Sequence, residues 1–260
     1  MRVYISTDLE GVCGVYRFEQ SRDAFGSPAN VEARKLLMGE VNACVAGCFD
    51  AGAERVVVRD GHDGAKSFFP EELDERAEMV MGGFSPRDKV LREGFDAAVL
   101  LGFHAMSHTP DAILCHTQSS KSWDNYWIDG RLYGEIGQVA ILLGAAGIPV
   151  VMVTGCDKAC AEAREFLGDD VVTVEVKKSL SREGALMLAP KRARALIREG
   201  AAKALALAGK AKPYSIDFPA TIRWQFKDSG YVDRLGSGAR RIDGHTVEKE
   251  VASPDAILHP

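Results

Sequence analysis

The sequence predicts an α/β protein: a mainly parallel sheet with flanking helices, plus a smaller C-terminal α+β portion. Three observations predict it. Short β-branched runs recur along the first part of the chain. Stretches with apolar residues at helical spacing separate them. After about residue 180 this alternation gives way to one long Ala-rich segment and two further strand-like runs. Parallel neighbours need crossover connections, and helices in that role cover both faces of a sheet, so its strands are apolar throughout. The expected organisation is an α/β domain over residues 1–180, carrying the candidate chemistry, and a smaller α+β portion over residues 181–260.

Residues 3–7 form a short apolar strand followed by a Gly-containing loop. Ser27-Pro28 then reads as an N-cap with proline at the first helical position. Leu37, Val41, Cys44, Val45, Cys48 and Phe49 recur on one helix face, and Gly52 is a suitable stop. Further strands fit residues 56–58, 97–101, 149–154 and 171–176, with helices at 134–146 and 157–167. Residues 126–132 differ, because Asp129-Gly130 between two short runs has the composition of a tight hairpin turn. Beyond residue 180, a helix is expected over 189–208 and strands over 215–226 and 245–251.

Composition narrows the function classes. Of 260 residues, 46% are hydrophobic and 27% charged, ample for a core. The net charge of -5 and the lack of a basic cluster interleaved with aromatics argue against a nucleic-acid partner. The basic run at 191–198 has helical spacing and reads as a solvated helix face. No apolar stretch reaches the ~18 residues of a membrane span, and the longest, 139–153, is broken by Gly144, Gly147 and Pro149. The first strand runs straight into acidic residues, so no signal peptide is expected. Six cysteines include two pairs four apart, Cys44/Cys48 and Cys156/Cys160, without the Cys-x-x-Cys spacing of zinc knuckles. They read as core residues of a reduced, cytoplasmic chain.

In open α/β sheets, functional groups collect beyond the carboxyl ends of strands. There the sequence places Asp8 and Glu10 after the first strand, His62 after the second and His104 after the third, while Glu135 opens a helix past the hairpin. Carboxylates mixed with imidazoles suit zinc, and also cobalt or manganese. Five ligands exceed the three that one catalytic zinc takes from protein, and suit two ions sharing a bridging carboxylate and water. Gly11 directly after Glu10 permits the sharp turn that brings both carboxylates to one place. Asp60 or Asp63, with Asp60 favoured, is placed to accept the spare ring N–H of His62, an ordinary turn role being the alternative. His108 lies in an exposed turn. There is no His-Glu-x-x-His helix, no Gly-x-Ser-x-Gly elbow and no phosphate-binding glycine loop.

Five segments together, Ser6-Thr7-Asp8-Leu9-Glu10-Gly11, Asp60-Gly61-His62, Leu101-Gly102-Phe103-His104-Ala105, Cys115-His116-Thr117 and Gly134-Glu135-Ile136-Gly137, resemble the zinc-dependent D-aminopeptidase family associated with bacterial dipeptide transport. Their order and spacing match over roughly residues 1–190. The resemblance implies that Asp8 bridges two zinc ions, that Glu10, His62, His104 and Glu135 complete the shell, and that His116 is catalytic. It implies hydrolysis of the N-terminal residue of short peptides, D-amino-acid-containing ones in particular. It implies a two-domain chain in a ring-like homo-oligomer, with a decamer as the size to test, whose sites face an internal space. The family's further C-terminal helix has no counterpart in Leu258-His259-Pro260.

Water activated by metal is already a strong nucleophile at neutral pH, so His116 is better used to pass a proton to the leaving amine than as a covalent nucleophile. Two other functions fit the ligand chemistry: a dinuclear-metal hydrolase of another amide or a phosphoester, and a non-catalytic metal-binding protein linked to transport. A phosphatase calls for basic residues near the metals, and Arg59, the obvious neighbour, alternates with Asp60 and so points away. A binding module has no need of a proton-transfer group such as His116.

Overall fold

The computed structural model describes residues 1–23, 25–83, 89–236 and 238–260. Its main sheet has seven strands: β1 (Arg2–Thr7), β2 (Arg55–Asp60), β3 (Glu78–Val80), β4 (Ala97–Phe103), β7 (Val150–Cys156), β8 (Val172–Ser181) and β9 (Gly184–Met187). Their order is β3-β2-β1-β4-β7-β8-β9, parallel throughout except for the antiparallel β8–β9 pair. The fold class read from the sequence is therefore the one observed. The chain steps outward from β1 through β2 to β3, then returns to β4 on the other side and proceeds to β7 and β8. The reversal between β1 and β4 is a topological switch point, where loops splay apart and leave a crevice beyond the strand ends.

Helix α1 (Pro28–Asp50) starts as the sequence indicates, with Ser27 Oγ accepting from Asn30 N at 3.2 Å and proline in the first turn. It packs beside α4 (Pro190–Leu207). Helices α2 (Glu135–Ala145) and α3 (Asp157–Leu167) follow the hairpin and β7. No helix among the described residues is long and apolar enough to cross a membrane.

A second, antiparallel sheet has the order β11-β12-β10-β5-β6. It joins β5 (Trp123–Ile128) and β6 (Arg131–Leu132), from the middle of the chain, to β10 (Ala220–Phe226), β11 (Arg240–Arg241) and β12 (Thr246–Val251). The turn between β5 and β6 has positive φ at both Asp129 and Gly130, as an Asp-Gly hairpin requires. Tyr126, Ile222 and Trp224 centre this sheet's own core. Helix α2 is shared: Ile136, Ala140 and Leu143 face the main core, while Ile141 and Leu142 face the second. A short helix, α5 (Ser229–Asp233), links β10 to β11.

Three elements differ from the sequence expectation. β3 was not expected beside β2. The strand expected at 171–176 continues to Ser181 and folds back as β9. The strand expected at 215–226 begins only at Ala220, directly after Pro219, whose nitrogen has no hydrogen for a ladder.

Candidate metal centre

The parallel register sets Thr7 of β1 beside Asp60 of β2 and Leu101 of β4. Asp8, His62 and His104 therefore emerge side by side at the crevice. The β1 and β4 ends are pressed together there: Asp8 N donates to Leu101 O at 2.8 Å and Gly11 N to Gly102 O at 2.7 Å. A Cβ on Gly11 would lie 2.0 Å from Phe103 O, so this glycine serves close approach as well as the turn, which Val12 N closes on Leu9 O at 3.2 Å. Gly102, on the β4 side of the contact, has φ of +76°.

The six residues singled out in the sequence lie together. Asp8 Oδ1 is 3.0 Å from His62 Nδ1, and Glu10 Oε2 is 3.1 Å from the same nitrogen. On the other side, His104 Nε2 is 3.3 Å from both Asp8 Oδ2 and Glu135 Oε1. His116 Nε2 stands 3.9 Å from Glu135 Oε1. Two overlapping groups have donor atoms close enough to share an ion: Asp8 with Glu10 and His104, and His104 with His116 and Glu135. His104 belongs to both groups, and Asp8 turns Oδ1 to His62 and Oδ2 to His104.

Backbone carbonyls orient all three imidazoles. Ser21 O lies 2.9 Å from His62 Nε2, Ala105 O 2.9 Å from His104 Nδ1 and Leu114 O 2.8 Å from His116 Nδ1. A carbonyl only accepts, so each outer nitrogen carries a proton and each inner nitrogen turns toward the carboxylates. The role offered to Asp60 is thereby corrected. Asp60 accepts from the backbone N–H of His62 at 3.2 Å and from that of Ser67, shaping the turn, while Ser21 takes the ring. Asp63 pairs with Lys66 on the surface. His108 bonds to Asp124 in an exposed position apart from the cluster. Arg59 donates to Gly82 O.

The electrostatics are those of an overcrowded buried site. Burial, reinforced by the Glu10 charge, pushes Asp8 above the usual carboxylate range. Burial also opposes ionisation of Glu10, but His62 outweighs it and holds Glu10 well below that range. Likewise burial opposes charging of His62 and His104, and is outweighed by Glu10 and Glu135 respectively, so both are held well above the ordinary value. Burial, then the His104 charge, depresses His116 to about 4. Asp8 Oδ2, Glu10 Oε2 and His104 Nε2 are buried with no hydrogen-bond partner. Such atoms cost roughly 1–3 kcal/mol each. All three point into the shared space and are oxygen or imidazole donors, so the residues fit zinc-type cations.

Supporting groups escaped the sequence reading. Lys177 is buried and donates to Glu10 O at 2.5 Å, Val12 O at 3.0 Å and Val15 O at 2.6 Å, fastening the loop that carries Glu10. The register shift where β8 pairs with β7 places Lys177 opposite Cys156, out of simple alternation with the buried Val174 and Val176. Glu162 accepts from Met106 N at 2.7 Å just beyond His104, and burial pushes its carboxyl up to about 8. Gln118 N donates to Glu135 Oε1 at 2.7 Å. A cavity of about 310 Å³ is lined by Asp8, Glu10, His62, His116 and Glu135, and also by Arg22 and Lys121.

Comparison with known proteins gives the family. The chain matches the model of the D-aminopeptidase family over residues 1–259. It is 32% identical over 238 residues to a D-aminopeptidase of Bacillus subtilis, covering 90% of this chain and 84% of that one. It also superposes on the structure of a Zn-dependent D-aminopeptidase, DppA from Bacillus subtilis, described as a self-compartmentalizing protease. That match has a TM-score of 0.89 and 29% identity, over 99% of this chain and 96% of the other. The chain belongs to the D-aminopeptidase family, a family of peptide-bond hydrolases.

Proposed function

We propose that this chain is a dinuclear zinc aminopeptidase that removes the N-terminal residue of short peptides, those containing D-amino acids in particular. The observation that carries the reading is Asp8, which turns one oxygen to His62 and the other to His104 in a buried pocket where Asp8 Oδ2, Glu10 Oε2 and His104 Nε2 make no hydrogen bond. Asp8, Glu10 and His62 would hold one ion, and Asp8, His104 and Glu135 the other. When bound, a zinc pair acidifies water and polarises a carbonyl. The chain's own residues orient and shield. The carbonyls of Ser21 and Ala105 fix His62 and His104, and Lys177 fixes the Glu10 loop. His116 has its Nδ1 proton committed to Leu114 O, so Nε2 accepts a proton at the cluster and passes it to the leaving amine.

The DppA relative is a self-compartmentalizing protease. For this chain that supports a ring-like homo-oligomer, of which a decamer is the size to test, with sites that only short peptides reach. The six free, buried cysteines support a cytoplasmic setting. The deciding experiment is a hydrolysis screen of paired L- and D-dipeptides with purified, zinc-loaded protein and a chelator control. D-selective release of the N-terminal residue is expected, and cleavage of neither member of any pair refutes the reading. Light scattering checks the assembly: a mass near 28.1 kDa at micromolar concentration excludes the ring.

A further inference from the structure

Two cavities meet at the cluster. The one already described, of about 310 Å³, has no apolar side chain in its lining among the described residues. The second, of about 80 Å³, shares Asp8, Gly61, Gln118 and Glu135 with it and then runs inward between β1 and α2, where Leu91, Phe103, Val139, Leu142, Leu143 and Leu258 wall it. Glu135, Val139, Leu142 and Leu143 stand at i, i+4, i+7 and i+8 of α2, which is one helix face. The helix that offers Glu135 to the cluster therefore offers an apolar stripe to the same cavity. Leu258 comes from the far end of the chain. Its neighbour Ile257 is fully buried and accepts from Tyr126 Oη at 2.7 Å, which holds that wall in place. Of the polar groups in the lining, Thr7 Oγ1 donates to Arg59 O at 3.1 Å and Arg59 Nη1 to Gly82 O at 3.2 Å.

We propose that the apolar cavity receives the side chain of the residue that is removed, and that Val139, Leu142 and Leu258 decide which residue that is. The inference rests on the aminopeptidase reading and adds to it a side-chain class. A residue whose carbonyl is attacked at the cluster has its Cα one bond away, so its side chain enters a space that touches the cluster. The polar cavity suits the amino group and the rest of the peptide, whereas a polar side chain in the apolar one would lose its water without matching partners. Size narrows the class further. An apolar cavity of ~150 Å³ takes up benzene, so one of about 80 Å³ admits a branched aliphatic group and excludes an aromatic ring. A lone methyl group leaves most of it unfilled. The expected order at the N-terminal position is leucine and valine first, then alanine, with phenylalanine last.

The test uses the full, zinc-loaded chain and the dipeptides alanyl-, valyl-, leucyl- and phenylalanyl-glycine of either hand, beside glycyl-alanine and glycyl-leucine. Leucyl-glycine is expected to exceed alanyl-glycine in kcat/KM by ~10- to 200-fold, the discrimination that an apolar pocket makes on hydrocarbon size. Glycyl-leucine and glycyl-alanine should differ far less. Val139→Phe fills the cavity and should invert the order of leucyl- and alanyl-glycine. Leu258→Ala deepens it and should raise phenylalanyl-glycine relative to leucyl-glycine. Calorimetric titration of the parent with free leucine and free alanine of the cleaved hand reads the same preference without turnover, leucine binding the tighter. Equal kcat/KM for alanyl-, valyl- and leucyl-glycine in the parent overturns the pocket and leaves the peptidase standing. So does a preference that follows the second residue, or an order unchanged in both variants. Cleavage of none of the peptides overturns the peptidase reading and this inference with it.

Discussion

The imidazoles of His104 and His116 stack face to face, their centroids 4.0 Å apart and their planes inclined by 11°. Two parallel rings this close do not both carry charge readily, and the pair divides its roles. His104 turns Nε2 to Asp8 and Glu135, while His116 stands farther from the carboxylates, its ring fixed by Leu114. His116→Ala is expected to retain zinc and substrate binding and to lose turnover, by the ~100- to 10,000-fold typical of a proton-transfer group. Zinc content and kcat measured on one preparation decide it. Activity per bound zinc pair within about ten-fold of the parent rules out the catalytic role.

Asp8 faces both halves of the cluster, whereas Glu10 and His62 serve one half and Glu135 the other. Elemental analysis of the parent is expected to give about two zinc ions per chain, as a bridged pair requires. Asp8→Ala should lose more zinc than any other single substitution. A parent that retains no zinc after incubation and desalting would sink the metal assignment.

Lys177→Met removes the donor shared by Glu10 O, Val12 O and Val15 O and leaves three carbonyls of one loop without it. Breaking buried charge-assisted bonds of this kind costs about 3 kcal/mol or more. Urea unfolding should show that loss, together with weaker zinc binding, because Glu10 rides on the same loop. Unaltered zinc affinity would confine Lys177 to stability alone.

Glu40 offers a pH test away from the candidate ligands. Burial pushes its carboxyl from 4.5 up to about 7, although it accepts from Cys13 N. The folded state therefore holds a proton that the unfolded chain has released. Its stabilising contribution is complete below pH 4.5 and is lost as pH rises through about 7. The shift corresponds to at most about 3 kcal/mol. Glu40→Gln keeps the acceptor and removes the charge, so its melting temperature should exceed that of the parent at pH 8 and converge with it near pH 5. A difference independent of pH would contradict this account.

Most strands, the main helices and Asp8, Glu10, His62 and His104 were legible because each leaves a local trace: a β-branched run, a capping Ser-Pro, or a polar ligand type where an apolar strand stops; Glu135 was marked only by opening a helix, and His116 only by the family resemblance. The supports left none. Ser21, Ala105 and Leu114 act through carbonyls that any residue carries, so their side chains say nothing of the role. Lys177 sits inside a strand where alternation assigns it to the outside, and only the shifted register turns it inward. β9 was missed because its pairing with β8 reverses the parallel pattern, and β3 is too short to establish a period. Phe18 lies in the connection after β1 and Arg22 in a single π-helical turn (Glu19–Asp23), both too short for a period to show, and only tertiary contact joins Phe18 to His116.

The second sheet also ties the middle of the chain to its end. Tyr126 of β5 is paired with Trp224 of β10, nearly a hundred residues later, and the β5–β6 hairpin leads directly into the helix that begins with Glu135. A nascent chain emerging from the ribosome as far as residue 200 carries every cluster residue, yet lacks the strand against which that hairpin is braced. Contacts so distant in sequence form late, after the cost of closing the intervening loop has been met. The hairpin that leads into Glu135 therefore gains its bracing strand only from the C-terminal part of the chain.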